Sequence, residues 1–251
     1  VLEKDTADIL CSALCDDCIE RGLNLKEGGA VYDFISDLQV GIANQGDSMA
    51  AIKKCVFEDH SMTPAQLWDA LMNNFEGEEG ERIRKLLIAA PKYGNDDDTA
   101  DDIATRLFTD IADLTMAAGK AAGLDHYNIV SVNNSMSAEW GNFCAASACG
   151  RKAGSPMANA NGASIGADKC GITALLNSMS KFDNTKHVGV INNVRFTKEL
   201  FKGSMDKVEA VLKAFYDNDG VQTNLCVIGK DDLENAMVHP ENYQNLLVRI
   251  G

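Results

Sequence analysis

The feature that most limits the folds open to this chain is an alternation of amphipathic helical patterns with short apolar segments. Residues 221–228 carry no charged side chain, which is typical of a strand buried within a sheet. Just before them, residues 205–216 repeat apolar positions at helical spacing. Residues 187–197 form another strand pattern. Helices that alternate with buried strands predict an α/β fold.

Capping residues predict where further helices begin. Thr63 and Gln66 have the spacing of a capping box, with Pro64 at the first helical position, so we expect a helix to begin there. An acidic run at residues 96–98 precedes a long helical pattern, where carboxylates cap the helix and stabilise its dipole. The predicted helices that precede residue 187 are residues 6–21, 47–57, 64–75, 82–90, 99–120 and a helix that ends near residue 180.

Size and charge exclude several classes of protein. With 251 residues, the chain can form one large domain or half of a larger barrel. The net charge of −14 argues against a nucleic-acid partner and against an anionic membrane surface. No apolar run is long enough to span a membrane. Eight cysteines at irregular spacing, without a signal-like segment, predict reduced thiols and a cytoplasmic location.

Three of these cysteines have the bare spacing of an iron–sulfur motif. Cys11, Cys15 and Cys18 match the CxxxCxxC pattern of radical-SAM enzymes. They lie within the predicted helix 6–21, and ligands at i, i+4 and i+7 of a helix form a line and not a cup. We therefore predict that the three thiols are buried on one helix and bind no iron. No other metal site is predicted from the spacing of histidines.

Six sequence blocks occur in an order that carries a family resemblance. The blocks are GGAVYDF at 28–34, VGIANQGDSMAAIKKCVFE at 40–58, APKYGND at 90–96, GRKAGSPMA at 150–158, GADKCGITA at 166–174 and HPENYQNLLVRIG at 239–251. Together they resemble glycyl radical enzymes of the pyruvate formate-lyase superfamily. The resemblance covers nearly the whole chain. Cys149 stands where the family usually has aspartate before the Gly-Arg pair.

The resemblance implies an architecture. It predicts the second half of a ten-stranded α/β barrel with surrounding helices, formed by residues 1–238, and the start of a glycine radical domain at residues 239–251. In this register Arg249, Ile250 and Gly251 flank the radical loop. The radical glycine is expected just after Gly251, and the catalytic cysteine is expected upstream of Val1. No catalytic residue is therefore predicted within these 251 residues, which we interpret as a fragment.

The resemblance also implies a substrate pocket. Residues 123–141 read as a loop and a strand, and Val132, Ser135 and Trp140 are predicted to face the substrate from that strand. Val132 falls where the glycerol, diol and choline-type lyases resemble one another in having a tyrosine. A valine removes that phenol, so a polyol or choline substrate is not expected. Trp140 could equally be ordinary core packing.

The implied chemistry is that of an enzyme of anaerobic metabolism which acts on a small organic substrate through a thiyl radical. The resemblance favours a lyase, either a dehydratase or a decarboxylase. A fumarate-adding enzyme of the alkyl- or arylsuccinate synthase type, or a formate acetyltransferase, remains an alternative. A non-catalytic scaffold protein with the same fold is a further one. The resemblance implies no bound cofactor, a radical installed by a separate S-adenosylmethionine-dependent activase, and a homodimer at full length.

Overall fold

The computed structural model describes residues 6–32, 34–124, 126–132 and 136–243 of the chain. The elements of the first half are α1 (Ile9–Leu14), α2 (Cys18–Arg21), β1 (Ile35–Leu38), α3 (Ile42–Ile52), α4 (Pro64–Met72), α5 (Gly77–Ala89), α6 (Asp98–Ala121) and β2 (Tyr127–Ser131). The elements of the second half are α7 (Met136–Gly141), α8 (Ile172–Ser180), β3 (His187–Val190), β4 (Asn192–Phe196), α9 (Lys198–Gly203), α10 (Met205–Asp217), β5 (Thr223–Val227) and α11 (Lys230–Val238).

The strands pair in parallel, as the α/β pattern predicts. β2 lies between β1 and β3 in one sheet, and β4 pairs with β5 in another. Parallel strands need crossover connections, and helices supply these on every crossing from one strand to its partner. The described residues thus contribute five parallel strands, the number that half of a ten-stranded barrel would contain. The α/β class and the partial barrel are confirmed.

The long helix α6 covers one face of the three-stranded sheet. Tyr127 of β2 packs against Gly119 of α6, at a point where a side chain on the glycine would collide with the ring. Side chains alternate along a strand, so Ile129 and Ser131 also face α6 and are buried. Val130 and Val132 therefore face the other side of the sheet. Both lie beside Gly189 of β3, within 3.1 and 3.8 Å of the position that a Cβ would take there.

A column of four stacked rings forms the centre of the main hydrophobic core. The centroids of Tyr93 and Phe182 are 5.3 Å apart, those of Phe182 and Phe108 are 4.2 Å apart, and those of Phe108 and His187 are 3.6 Å apart. Stacked rings add to the stabilisation that burial of their area provides. The column joins the start of β3 to the turn before α6.

A second hydrophobic cluster is formed where α3, α4 and α5 meet. Its fully buried members include Phe75, Ile83 and Leu87. The predicted capping box at α4 is confirmed, because the Thr63 side chain and Gln66 exchange their hydrogen bonds. Between α3 and α4 the helix continues as a π-helical turn over Lys53–Glu58, in which Cys55 and Val56 point into this cluster.

The predicted helix over residues 6–21 is wrong. The structure has two short helices, because Cys15 is extended and Asp17 adopts a left-handed conformation with φ 73°. Aspartate tolerates this region better than most residues do. The large apolar side chains of α1 are exposed. The exposed fractions are 79% for Ile9, 72% for Leu10 and 80% for Leu14.

The prediction for the three cysteines is therefore wrong in its geometry. Cys11 is exposed, Cys15 is half-buried and Cys18 is buried, and they lie on two helices and the break between them. Without a buried apolar stripe, packing does not favour one continuous helix here. Within the described ranges, no three His, Cys, Asp or Glu side chains are grouped so that they could hold a metal ion.

Other differences concern element boundaries. The strand predicted over residues 187–197 is two strands, β3 and β4, which belong to different sheets. Helices α3 and α5 each begin five residues earlier than predicted. β5 forms as predicted, but Leu225 and Val227 are about two-fifths exposed and not buried. No helix in the described part of the chain has the length and hydropathy of a membrane span.

Burial of His187 predicts a dependence of stability on pH. Burial lowers the pKa of His187 from 6.5 to about 4, against a smaller opposing effect of Asp183. The folded state then binds this proton more weakly than the unfolded state, so the contribution to stability is present above pH 6.5 and is lost as the pH falls through about 4. Replacing His187 with phenylalanine keeps an aromatic ring against Phe108 and removes the titrating group.

We compare the free energy of unfolding of His187→Phe with that of the wild type. This difference should favour the variant by about 1–2 kcal/mol more at pH 5 than at pH 7.5. Urea unfolding at the two pH values measures this difference. His126→Phe is the matched control, because His126 is exposed and should give no such gain. An equal response of the two variants to pH would contradict the assignment.

Candidate active-site region

One segment crosses the carboxyl ends of the parallel strands. Residues 157–164, here named the crossing segment, contact residues that follow each of the three strands of the sheet. Met157 Sδ lies 3.5 Å from the position that a Cβ would take at Gly41 after β1. The Met157 amide donates to the Ser137 carbonyl of α7, the helix after β2, at 3.3 Å, and the Asn161 amide donates to the Ile191 carbonyl after β3, at 3.4 Å. In parallel α/β folds, functional groups collect at this edge of the sheet. The crossing segment therefore marks the candidate active-site region.

Two polar side chains of α3 hold the beginning and the end of the crossing segment. Asn44 and Asp47 lie three residues apart and so share a face of the helix. Asn44 Oδ1 accepts from the Ala158 amide at 2.6 Å, and Asn44 Nδ2 donates to Ser164 Oγ at 3.1 Å. Ser164 Oγ in turn donates to Asp47 Oδ2 at 2.5 Å. Helix α3 thus fixes the position of a segment more than a hundred residues away.

The turn before α6 holds the segment from another side. Asp47 Oδ1 accepts from the Tyr93 amide at 2.7 Å, and the Tyr93 hydroxyl donates to the Asn161 carbonyl at 3.1 Å. Gly94 has φ 94°, and a Cβ there would lie 2.7 Å from Cβ of Ala163. Glycine is required at this position for both its backbone conformation and its close approach to the crossing segment.

The residues that follow the crossing segment are fixed by Asn95. Its Oδ1 accepts from the amides of Lys169 and Cys170, at 2.7 and 3.0 Å, and its Nδ2 donates to the Ala167 carbonyl at 2.8 Å. One side chain thus satisfies three main-chain groups in a loop that has no regular structure of its own.

A second buried carboxylate supports this turn from behind. Asp101 of α6 accepts from Ser178 Oγ of α8 at 2.8 Å and from Lys181 Nζ at 2.7 Å. Lys181 also pairs with Asp96 and Asp98. Burial acts to lower the pKa of Lys181, but its hydrogen bonds with Asp101 and Asp98 outweigh burial and raise that pKa above its usual range. The prediction that the acidic run caps α6 is confirmed, since Asp97 accepts from the Thr99 amide.

Asp47 carries an electrostatic cost. Its side chain is fully buried, and burial raises the pKa of Asp47 to about 6, although hydrogen bonds from Ser164 and Tyr93 act to lower it. A buried carboxylate is tolerated when donors satisfy it. Here each oxygen has one donor from a different part of the chain. The residue therefore stabilises the fold through its hydrogen bonds and not through its charge.

Two protein families match different parts of the chain. A family described as pyruvate formate lyase-like matches residues 1–136, and a glycine radical family matches residues 157–251. The first match covers more than half of the chain. The chain belongs to the pyruvate formate lyase-like family. The crossing segment is the beginning of the glycine radical match, and the side chains that hold it belong to the pyruvate formate lyase-like match.

Individual relatives are glycyl radical enzymes. The chain is 37% identical to a probable dehydratase, YbiW, of Escherichia coli, over all of this chain and 32% of that protein. It is 35% identical to an isethionate sulfite-lyase of Bilophila wadsworthia, over 96% of this chain and 29% of that protein. The solved structure of a glycerol-bound B12-independent glycerol dehydratase from Clostridium butyricum aligns with a TM-score of 0.86 and 34% identity, over 95% of this chain and 30% of that one. The chain thus spans about a third of the length of these relatives.

Of the residues predicted to line the substrate pocket, Val132 and Trp140 have described positions. Val132 lies one residue after β2, half-buried, on the face of the sheet opposite α6. The prediction that Trp140 shares a strand with it is wrong, because Trp140 lies in helix α7. Met136, Ala138 and Glu139 favour a helix over a strand, and this signal was outweighed by the strand pattern before them. Ser135, Arg249, Ile250 and Gly251 lie outside the described residues.

The side chains that hold the crossing segment were not predicted to have any role. Asn44, Asp47 and Asn95 lie within the sequence blocks that carry the family resemblance. A signal for Asp47 was present in its surroundings, since an acidic residue among the small and apolar residues of 42–52 must find donors once the helix is buried. The identity of those donors depends on contacts between residues far apart in sequence.

Asp47 should make stability fall as the pH rises. Because the folded protein holds the proton of Asp47 more tightly than the unfolded chain does, this contribution is fully present below pH 3.8 and is lost as the pH rises through about 6. Asp47→Asn removes the titration, so its stability relative to the wild type should rise by about 2 kcal/mol between pH 4 and pH 7.

Denaturant unfolding across this pH range provides the measurement. The exposed Asp102 of α6, changed to asparagine, is the matched control and should show no such trend. A second variant, Asp47→Ala, leaves the Tyr93 amide and the Ser164 hydroxyl without an acceptor and should cost about 2–5 kcal/mol. An Asp47→Ala protein as stable as Asp102→Ala would refute the role given to Asp47.

Proposed function

We propose that the protein which contains this chain is a glycyl radical enzyme that acts on a small organic substrate, and that it is a lyase of the dehydratase or decarboxylase type. The proposal rests on the order of the two family matches along the chain and on the contacts between the residues that they cover. Residues of the pyruvate formate lyase-like match hold the first residues of the glycine radical match at the carboxyl edge of a parallel sheet. The names of the relatives, a dehydratase and a sulfite-lyase, support removal of a group from the substrate.

The proposed reaction begins with transfer of a hydrogen atom from a cysteine to the glycyl radical. The resulting thiyl radical takes a hydrogen atom from the substrate, and the substrate radical then loses its leaving group. Such chemistry requires that the reacting atoms be positioned and that water be excluded. In this chain, the buried hydrogen bonds of Asn44, Asp47 and Tyr93 give the crossing segment a single position.

We propose that the barrel extends through residues 1–238, that residues 239–251 begin the radical domain, and that Arg249, Ile250 and Gly251 lead into the radical glycine. The proposed partners of the protein are the small-molecule substrate and a separate radical-SAM activase that installs the radical. At full length the enzyme would be a homodimer. A match to the glycine radical family supports the need for activation.

Electron paramagnetic resonance tests the proposed function. After anaerobic treatment of the full-length protein with its activase, S-adenosylmethionine and a reductant, we expect a glycine-centred doublet. An identical sample without S-adenosylmethionine should remain silent. If a folded sample, treated with an activase that activates a related enzyme in parallel, gives no doublet, the catalytic proposal fails and a non-catalytic scaffold is favoured.

The substrate pocket is tested at Val132. We propose that Val132, Ser135 and Trp140 contact the substrate, Trp140 from its position in α7. Val132→Tyr would place a ring beside Gly189 and bring a hydroxyl into an apolar position. Leaving that hydroxyl unpaired costs about 1–3 kcal/mol, so kcat/KM for the native substrate should fall about tenfold or more. Glycerol and choline should be poor substrates of the unmodified enzyme.

Val221→Tyr is the matched control, because Val221 is half exposed and lies before β5, away from this face. Its kcat/KM should equal that of the wild type. Steady-state kinetics of the activated enzymes give the comparison. Efficient turnover of glycerol, together with an unchanged rate in Val132→Tyr, would remove Val132 from the pocket.

A further inference from the structure

A cavity of about 520 Å³ lies beside the crossing segment, on the side where α5 ends. We name it the basic cavity, because five cationic side chains line it: Arg84, Lys92, Arg151, Lys152 and Lys169. Among the described residues at its wall, Asp97 is the single carboxylate. The chain as a whole has 37 acidic residues against 23 lysines and arginines. The local balance of charge is therefore the reverse of the balance in the whole molecule.

Most of these cations have no carboxylate partner in the described part of the chain. The guanidinium of Arg151 donates to the carbonyl of Ser155 at 2.7 Å, and the ammonium of Lys92 donates to the carbonyl of Leu87 at 2.6 Å. Carbonyl groups satisfy hydrogen bonds but carry no net charge. Lys152 and Lys169 are exposed and have no ion pair within the described ranges. Unpaired positive charges facing one cavity repel one another.

The nearby acidic groups do not balance this charge. Arg84 pairs with Glu81 at 3.3 Å, and its Nε donates to the carbonyl of Gly150 at 2.9 Å. Asp47 lies behind Ser164, and with a pKa of about 6 it is ionised at neutral pH. Burial lowers the pKa of Lys92; the charge of Asp47 opposes this effect, and the like charge of Lys169 adds to it. Even with Asp97, Glu81 and Asp47 included, the five positive side chains exceed the three carboxylates around the cavity.

The floor of the basic cavity is polar and rigid. Asn44, Cys149 and Ser164 line it, and each is more than nine-tenths buried. Asn44 and Ser164 are hydrogen-bonded to each other, so they are held in place before any ligand arrives. Ile88 and Pro156 add apolar surface to the wall. A rigid pocket with both charge and apolar surface has the composition of a small-molecule site.

We propose that the basic cavity binds a small oxyanion, a phosphate or carboxylate group carried by a small molecule. Ammonium and guanidinium groups bind these anions through short charge-assisted hydrogen bonds. The site is distinct from the pocket proposed at Val132, and its occupancy does not depend on radical chemistry. Binding would neutralise the cations that surround the end of the crossing segment and would stabilise the folded protein.

Calorimetric titration of the purified protein with inorganic phosphate, and separately with succinate, tests this proposal at neutral pH and low ionic strength. We expect one site, with an affinity that weakens as sodium chloride is added. The double variant Lys152→Gln, Lys169→Gln should bind at least about tenfold more weakly, because it loses two charge-assisted contacts. Both lysines are exposed, so the variant should fold normally. Binding of one probe and not the other identifies the anion.

Two further variants make the test specific. Cys149→Asp adds a carboxylate inside the cavity and should abolish binding by competing for the same cations. Lys85→Gln is the matched control, since Lys85 is an exposed lysine of the same helix as Arg84 and lies outside the cavity wall. If neither probe binds at about 10 mM, the binding free energy is less favourable than about −3 kcal/mol, and the proposal is overturned. Equal affinity in Lys85→Gln and in the double variant would overturn it as well.

Discussion

The burial of one carboxylate is the constraint on which the arrangement of this chain depends. Asp47 is fully buried, and removing an ionised group from water costs several kcal/mol unless donors replace the water. Its two donors come from the turn before α6 and from the crossing segment. The helix, the turn and the segment must therefore be assembled together, because no two of them satisfy Asp47 without the third.

This dependence explains why a segment without regular structure has a defined position. The crossing segment contains three alanines, two asparagines and one glycine, and the backbone of each residue loses conformational freedom when it is ordered. Main-chain hydrogen bonds to side chains of α3 and of the turn before α6 offset that loss. The small side chains also allow the turn at Gly94 to approach closely. Larger residues would fill the space that these contacts need.

Local patterns predicted the elements whose stability is local. The capping box of α4, the long helix α6 and the amphipathic helix α10 were all predicted, since their signals lie within a few residues. The α/β class followed from the alternation of elements. The break between α1 and α2 was not predicted, because it reflects an apolar stripe that nothing in the described chain covers. Periodicity states which side of a helix is apolar, but not whether another element packs against it.

The candidate site shows the same division. Val132 was predicted to lie on a strand and follows β2 by one residue, whereas the helical environment of Trp140 and the roles of Asn44, Asp47 and Asn95 were not predicted. The family resemblance identified the blocks that contain these three residues, and their contacts became visible only with the fold. Polar residues whose partners lie on distant elements give little local signal, since each partner is ordinary in its own sequence context.

The π-helical turn at Lys53–Glu58 has a consequence for how this helix can change in length. A π-turn accommodates one residue more than an α-turn does, and successive residues of an α-helix are separated by about 100° of rotation. Loss of a single residue from the turn would restore regular winding, and one residue fewer at about 100° each covers nearly the same rotation. The residues that follow the turn would therefore keep their phase, whereas Cys55 or Val56 would shift within the cluster that they fill. The wider turn thus keeps two faces of one continuous helix in phase with two different cores.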